Sequence, residues 1–238
     1  MRRGAHGVIV AFALVLSAAA CGDDDEPEGE PLPADVDTLL AAASRAMGEV
    51  TSVRFHLERS GAPVFIDEFE SIQLDELDGR FEAPASADAI LEVTVNGNLS
   101  TKLGAIAVDD EVYLSNPVTG TFEPLQSGYD LDPSKFFDPG NGWRPLLAEL
   151  EDAELVGEED RDGTRYHVRG TAPGERMDAI TAGLVEQDLT IDFWMRRDTG
   201  LVTATEFTTS FEGESTSWVL ELGDFGDDFE IEQPDLDG

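Results

Sequence analysis

The chain has 238 residues and sets 51 acidic side chains against 15 basic ones, a formal net charge of −36. A surface of that sign excludes nucleic acid as a partner, because phosphate binding needs clustered lysine and arginine, and it gives the protein no reason to lie flat on anionic headgroups. Cys21 is the only cysteine, which excludes an internal disulfide.

In chain order, Arg2 and Arg3 come first, then an apolar run from Val8 to Leu16, then small residues at Ser17, Ala18, Ala19 and Ala20 before Cys21. This is the layout of a secretory signal peptide. The apolar run is too short for a membrane-spanning helix, which needs roughly 20 residues. Ala18-Ala19-Ala20-Cys21 resembles the lipobox of bacterial lipoproteins, with Ala18 where that pattern usually has leucine. The resemblance implies a diacylglyceryl group on the Cys21 thiol and cleavage just before it. The chain is then anchored through lipid to the cell membrane, on its extracytoplasmic face. Loss of residues 1–20, which include two arginines and no acidic residue, takes the net charge from −36 to −38. The competing reading is an ordinary signal peptide cut near Ala20. It leaves a reactive unmodified thiol at the mature N-terminus.

Residues 21–34 carry four consecutive acidic side chains, Asp23 to Glu26, and prolines at 27, 31 and 33. Such a segment cannot bury a core, so it is expected to be a solvated tether. From residue 35 to 238 the composition is that of one globular domain. Asp35 is placed to cap a helix over Val36–Gly48, with Leu39, Leu40, Ala43 and Met47 on one face. Alternation predicts strands over Ser52–Glu58, Val64–Leu74, Gly79–Glu82 and Ala89–Asn96. Asn96-Gly97 marks a hairpin into Leu99–Val108. Asp109-Asp110 turns the chain into Val112–Ser115, and Phe122–Leu125 follows. Asp132 starts a helical turn to Phe137, and Trp143–Leu150 and Pro173–Leu184 read as helices. The remaining strands are Ala153–Gly157, Thr164–Gly170, Leu189–Arg196, Val202–Phe211 and Ser215–Leu222. A long antiparallel sheet interrupted by helices is an α+β fold.

No catalytic signature appears. His6 departs with the signal peptide, and neither His56 nor His167 has a metal-ligand spacing. There is no G-x-S-x-G elbow, P-loop or dinucleotide fingerprint. Among so many carboxylates, two that are close in sequence carry no information. Asp224, Asp227 and Asp228 lack the pattern of a calcium loop. No enzyme activity, metal or cofactor is expected, and no histidine is expected to face a buried carboxylate.

Several segments, in order, are similar to the LppX/LprA/LprF/LprG family of actinobacterial lipid-carrying lipoproteins. They are the alanine-rich first helix with Thr51-Ser52-Val53-Arg54-Phe55, Ile106-Ala107-Val108-Asp109-Asp110 with Val112-Tyr113-Leu114, Asp138-Pro139-Gly140 with Gly142-Trp143-Arg144-Pro145-Leu146-Leu147, and Ile191-Asp192-Phe193-Trp194-Met195 with Asp198-Thr199-Gly200-Leu201-Val202. The resemblance implies a strongly curved antiparallel sheet, a half-barrel, with helices across its concave face. It also implies an acylated glycerolipid or glycolipid as ligand, held in an apolar cavity and carried or presented within the cell envelope. The inward residues that would line such a space are Phe55, Leu57, Leu91, Val93, Val95, Leu103 and Ile191 from strands, and Leu146, Leu147, Leu150, Ile180 and Leu184 from helices. A monomer is expected. The alternative is a non-transporting structural or interaction lipoprotein in which these residues fill a dry core.

Overall fold

The computed structural model describes residues 29–108, 111–125, 133–138, 140–181, 183, 185–211 and 213–236. Cys21, the Asp109-Asp110 turn, Asp132 and Leu184 lie outside the described residues. Helix α1 covers Val36–Gly48, as its spacing predicts. The Asp35 carboxylate accepts from the Thr38 backbone N–H at 3.0 Å and its hydroxyl at 2.8 Å, which satisfies one of the orphan donors of the first turn. Ala42, rather than Leu40, joins Leu39, Ala43 and Met47 on the buried face.

Eleven strands follow: β1 (Ser52–Gly61), β2 (Ile72–Glu82), β3 (Ser86–Val95), β4 (Leu99–Val108), β5 (Glu111–Ser115), β6 (Phe122–Pro124), β7 (Glu151–Asp160), β8 (Thr164–Ala172), β9 (Leu189–Arg196), β10 (Val202–Phe211) and β11 (Glu214–Gly223). They form one open sheet in the order β6-β5-β4-β3-β2-β1-β11-β10-β9-β8-β7. Every neighbouring pair is antiparallel. Two meanders, β1–β6 and β7–β11, therefore meet where the last strand pairs with the first.

Between β6 and β7 lie a 3₁₀ turn over Pro133–Phe137 and helix α2 (Trp143–Ala148), and between β8 and β9 lies helix α3 (Gly174–Ile180). Both helices end before the predicted Leu150 and Leu184. The Glu149 N–H closes α2 onto the Pro145 carbonyl, and the Thr181 N–H closes α3 onto that of Met177. Pro173 is the residue before α3 rather than its first turn, and the Asp188 carboxylate accepts from the Gly174 N–H at 2.7 Å.

The sheet curls because its register slips. A bulge between Leu74 and Glu76 puts both Leu74 and Leu77 on the buried face, which strict alternation forbids. Another between Val202 and Ala204 turns Ala204 to the Trp194 side, while Val202 pairs with Met195 and Thr205 with Phe193. The outer edge strand β7 is guarded by Glu151, Asp152, Glu154, Glu158, Glu159 and Asp160, a charge row that discourages strand addition. Asn96 and Gly97 both have positive φ, 49° and 70°, and with Asn98 they form the three-residue turn between Val95 and Leu99, closed by the Asn98 N–H on the Val95 carbonyl at 3.3 Å.

One expected strand is absent. Val64–Leu74 and Gly79–Glu82 are not two strands: β2 runs unbroken from Ile72 to Glu82, and residues 62–71 form a loop. Its first part folds back, with the Ile66 N–H on the Ile72 carbonyl at 3.0 Å and the Leu74 N–H on the Val64 carbonyl at 2.9 Å. Asp67, 9% exposed, closes the loop. Its carboxylate accepts from the Ser71 N–H at 2.9 Å, the Ser71 hydroxyl at 2.6 Å and the Ile72 N–H at 2.7 Å. Burial pushes the Asp67 carboxyl up, but these bonds outweigh it and hold it below its usual range. A depressed carboxyl stabilises the fold above its unfolded pKa, and that stabilisation is lost as pH falls through the folded value. Asp67→Ala is expected to cost about 2 kcal/mol at pH 7. In thermal unfolding scans the deficit against wild type should shrink as pH drops below about 4; a pH-independent deficit would rule out the charge.

Candidate functional site

The buried face of the sheet and the inner faces of the helices form one continuous apolar interior. α1 contributes Leu39 and Met47, α2 contributes Trp143, and α3 contributes Met177. Phe137 of the 3₁₀ turn stacks on Phe81 of β2 at 4.6 Å and meets Phe55 of β1 at 5.8 Å. Phe55 can lie flat over β2 because its cross-strand partner is Gly79. A Cβ on Gly79 would collide with the Phe55 ring and reach the Asp88 carbonyl oxygen at 2.8 Å.

Of the twelve residues expected to line a lipid space, eleven are described. Phe55, Leu57, Leu91, Val93, Leu103, Leu146, Leu147, Ile180 and Ile191 are buried in this interior, and Val95 and Leu150 pack against it. Leu184 lies outside the described residues. The structure thus gathers the eleven on one side of the sheet, where they pack on one another. None of them lines the four hollows described at the surface.

The largest of those hollows, about 640 Å³, opens at the end of the sheet where β1 and β10 stop. Its floor is Trp218, Thr216 and Thr209, and its walls are the loop around Phe65 on one side and Glu186 and Gln187 on the other. Phe211 lines it at 79% exposure, and Phe69, 86% exposed, projects from the same loop. Trp218 reaches from this floor into the interior, where it is 3% exposed and its indole N–H donates to the Thr209 hydroxyl at 3.1 Å. The groove is therefore the outer end of the apolar interior. Sequence reasoning missed it because its wall is the loop mistaken for a strand.

Two atoms inside the core break its apolar character. The Trp143 indole N–H and the Thr205 hydroxyl are buried with no hydrogen-bond partner. Trp143 meets the Phe193 ring edge-on at 6.4 Å, and Thr205 is the cross-strand partner of the same Phe193.

The opposite face is polar. His167 is 5% exposed and lies between two carboxylates, half-buried Asp192 and exposed Glu159. Its Nε2 lies 2.5 Å from Asp192, its Nδ1 lies 2.7 Å from Glu159, and its ring stacks on Trp194 at 4.6 Å. The cause is cross-strand register, which sets His167 opposite Trp194 and is invisible to spacing along the chain. The Trp194 indole N–H also donates to Glu159, at 2.9 Å, and these bonds hold that carboxyl low. Both imidazole nitrogens are engaged by carboxylates, so the ring acts as a hub joining β7, β8 and β9.

His56 is a second such hub. Its Nδ1 lies 2.8 Å from Asp78 and 3.8 Å from Glu76, and its Nε2 lies 3.3 Å from Glu58. Burial lowers its pKa, but the hydrogen bonds to Asp78 and Glu58 and the nearby charges win, so it is raised. His56, Glu76 and Asp78 present ligand atoms within 4.8 Å of one another, the grouping among the described residues that could hold a metal ion. Cross-strand pairing creates it, not sequence spacing.

Comparison with known proteins gives the frame for this interior. The profile of the LppX_LprAFG lipoprotein family matches residues 35–231. The chain belongs to that family. Lipoprotein LprA of Mycobacterium tuberculosis is 28% identical over 163 residues, 64% of this chain. The match spans 63% of LprA's own length, under two thirds. The crystal structure of LprF from Mycobacterium bovis superposes with a TM-score of 0.64 at 16% identity, covering 87% of this chain and 99% of that one. That of the M. tuberculosis lipoprotein LppX gives 0.57 at 16% identity, covering 82% and 99%. The curled, open antiparallel sheet with its few helices is thus the fold of the LppX_LprAFG lipoproteins, as the order of segments in the sequence implied.

Proposed function

We propose that this protein is a lipid-anchored envelope lipoprotein that takes the acyl chains of a lipid between its sheet and its helices and carries or presents that lipid. Residues 1–20 are the signal peptide, Cys21 bears the anchor on the extracytoplasmic face of the membrane, and 35–238 are one non-catalytic domain. One observation carries the reading: a member of this lipoprotein family has a single continuous apolar interior under a thin helical cover. The six residues of α2 and the seven of α3 are too short to be stable alone, and they hold their place by packing on the sheet.

Magnitude dictates enclosure. Two 16-carbon chains expose about 30 CH₂ groups, and at ~0.8 kcal/mol each they would cost about 24 kcal/mol in water. Surface contact cannot offset that, so the helical cover must lift. Phe55, Leu57, Leu91, Val93, Val95, Leu103 and Ile191 then face the chains from the sheet, and Leu146, Leu147, Leu150 and Ile180 face them from the other side. The headgroup stays at the mouth between the sheet and the cover. A second reading is a surface interaction lipoprotein with a permanently filled core. The close packing of the eleven described residues and the exposure of Phe69 and Phe211 favour it.

Native mass spectrometry of the full-length protein, gently extracted from its own membrane, separates the two. A bound diacyl lipid beyond the covalent anchor is expected, as a single heavier species. Only the anchored mass, unchanged after incubation with lipid vesicles, would refute carriage and leave the interaction reading.

A further inference from the structure

Two polar groups sit in the core without partners, and both adjoin one ring. Trp143 is 3% exposed and Thr205 is 1% exposed, so neither the indole Nε1–H nor the hydroxyl reaches solvent. A buried donor left unpaired is strongly disfavoured. Valine has the shape of threonine without the hydroxyl, and phenylalanine fills most of the tryptophan site without the N–H. Packing alone therefore gives no reason for either polar atom.

Their placement does give one. Thr205 stands directly across from Phe193 on β9, with its side chain on the buried face. Trp143, at the start of α2, rests against the same Phe193 ring at 6.4 Å and 73°. One group belongs to the sheet and the other to the helical cover. A ligand entering between the two layers at Phe193 passes between them. The residues that follow Trp143 on α2, Leu146 and Leu147, and those beside Thr205 on the sheet, Ile191 and Leu220, are apolar and bring no side-chain acceptor. With the Thr205 hydroxyl turned to donate, the two groups match an oxygen that only accepts. Among the parts of an acylated lipid, that is the ester carbonyl, whose two lone pairs can take two donors.

We propose that the Trp143 indole N–H and the Thr205 hydroxyl are the hydrogen-bond donors for an acyl-ester carbonyl of the bound ligand. This rests on the lipid-carrying reading above and deepens it: the interior selects ester-linked lipids over ether-linked ones of the same length. An ether-linked chain keeps only its weakly accepting ether oxygen and lacks the carbonyl, whereas an ester carbonyl offers two lone pairs to the two groups.

The test uses the full-length protein in detergent, with a diester phosphatidylglycerol and its diether analogue of equal chain length as probes. Wild type should bind the diester at least tenfold more tightly, a difference of about 1.4 kcal/mol. Trp143→Phe and Thr205→Val should each bring diester binding toward that of the diether and leave diether binding unchanged. Thr205→Ser should restore the preference. Thermal unfolding of lipid-free Thr205→Val should show no loss, because the two side chains share a shape and no internal bond is broken; Trp143→Phe loses some stability from the volume removed. A clear fall in Tm for Thr205→Val would mean the hydroxyl already has a partner and would overturn the assignment. Equal binding of both probes by wild type overturns it too, while leaving lipid carriage standing. Binding of neither probe overturns both.

Discussion

Phe81→Ala is expected to destabilise the protein by about 3–5 kcal/mol, lowering Tm by about 10 °C for a domain of this size. Phe81 is 2% exposed and stacks at 4.6 Å on Phe137, which in turn meets Phe55 at 5.8 Å. Phe136 joins from the other side, 6.3 Å from Phe55. These four rings fasten the 3₁₀ turn, and with it the approach to α2, onto β1 and β2. Truncation leaves a ring-sized void that the stiff strands cannot collapse into, and it removes the stacking of an aromatic pair. Phe81→Leu, which fills most of the volume, should cost far less. The measurement is urea unfolding followed by tryptophan fluorescence. If both variants lose the same stability, the ring contacts are not what fastens the cover. If the helical cover must lift for lipid to enter, Phe137→Ala should also speed lipid exchange, because it loosens the same clasp from the mobile side.

What the sequence disclosed follows from how local each signal is. Strands such as Leu99–Val108 and Leu189–Arg196 are legible to the residue because turn residues bound them and most inward positions are apolar, alternating from Leu103 onward in the first. The α1 helix is legible because Asp35 and an apolar stripe agree. The segment 62–71 misleads because Val64 and Ile66 carry a strand-like pattern. The deciding interactions are the Asp67 carboxylate on the amides of Ser71 and Ile72, and a positive φ of 51° at Glu70. Bulges are equally hidden, since nothing in the order Leu74-Asp75-Glu76-Leu77 announces that both leucines will face inward.

The site divides in the same way. Inward residues such as Phe55, Leu91 and Val93 could be named because burial follows period two. Pairings across the sheet could not: His167 with Asp192 and Glu159, His56 with Asp78 and Glu76, and the Phe55 ring over Gly79 all join residues distant in sequence. The two unpaired polar atoms beside Phe193 belong to the same class. Trp143 reads as one more apolar residue of its helix, and Thr205 as an ordinary strand residue. Only the fold shows that each is left without a partner.

Cys21→Ser is expected to abolish membrane association. The diacylglyceryl anchor contributes on the order of 0.8 kcal/mol per buried CH₂, and a domain of such negative charge has no compensating attraction to an anionic surface. Among the described residues no helix is long and apolar enough to cross a membrane. The structure also shortens the expected tether. From Gly29 the chain is already bound to the domain: the Gly29 N–H donates to Asp198 at 3.2 Å, the Leu32 N–H to the Arg197 carbonyl at 2.7 Å, and the Tyr166 hydroxyl to the Leu32 carbonyl at 2.8 Å. With the anchor on Cys21 that we propose, seven residues, 22–28, would separate it from the first bound residue, a chain length of at most about 25 Å. Residues 29–32 strap the sheet where β8 starts and β9 ends, opposite the end where the groove with Phe69 and Phe211 opens. An anchored protein would hold its strapped end near its own membrane and turn the groove outward. An uncut signal peptide can itself hold Cys21→Ser on the bilayer; a second variant with residues 1–21 exchanged for an ordinary secretory signal removes that escape. Fractionation and radiolabelled palmitate incorporation read the result. Loss of label in Cys21→Ser and appearance of the second variant in the medium are expected; palmitate label persisting on Cys21→Ser, or membrane retention of the second variant, would show that the anchor lies elsewhere.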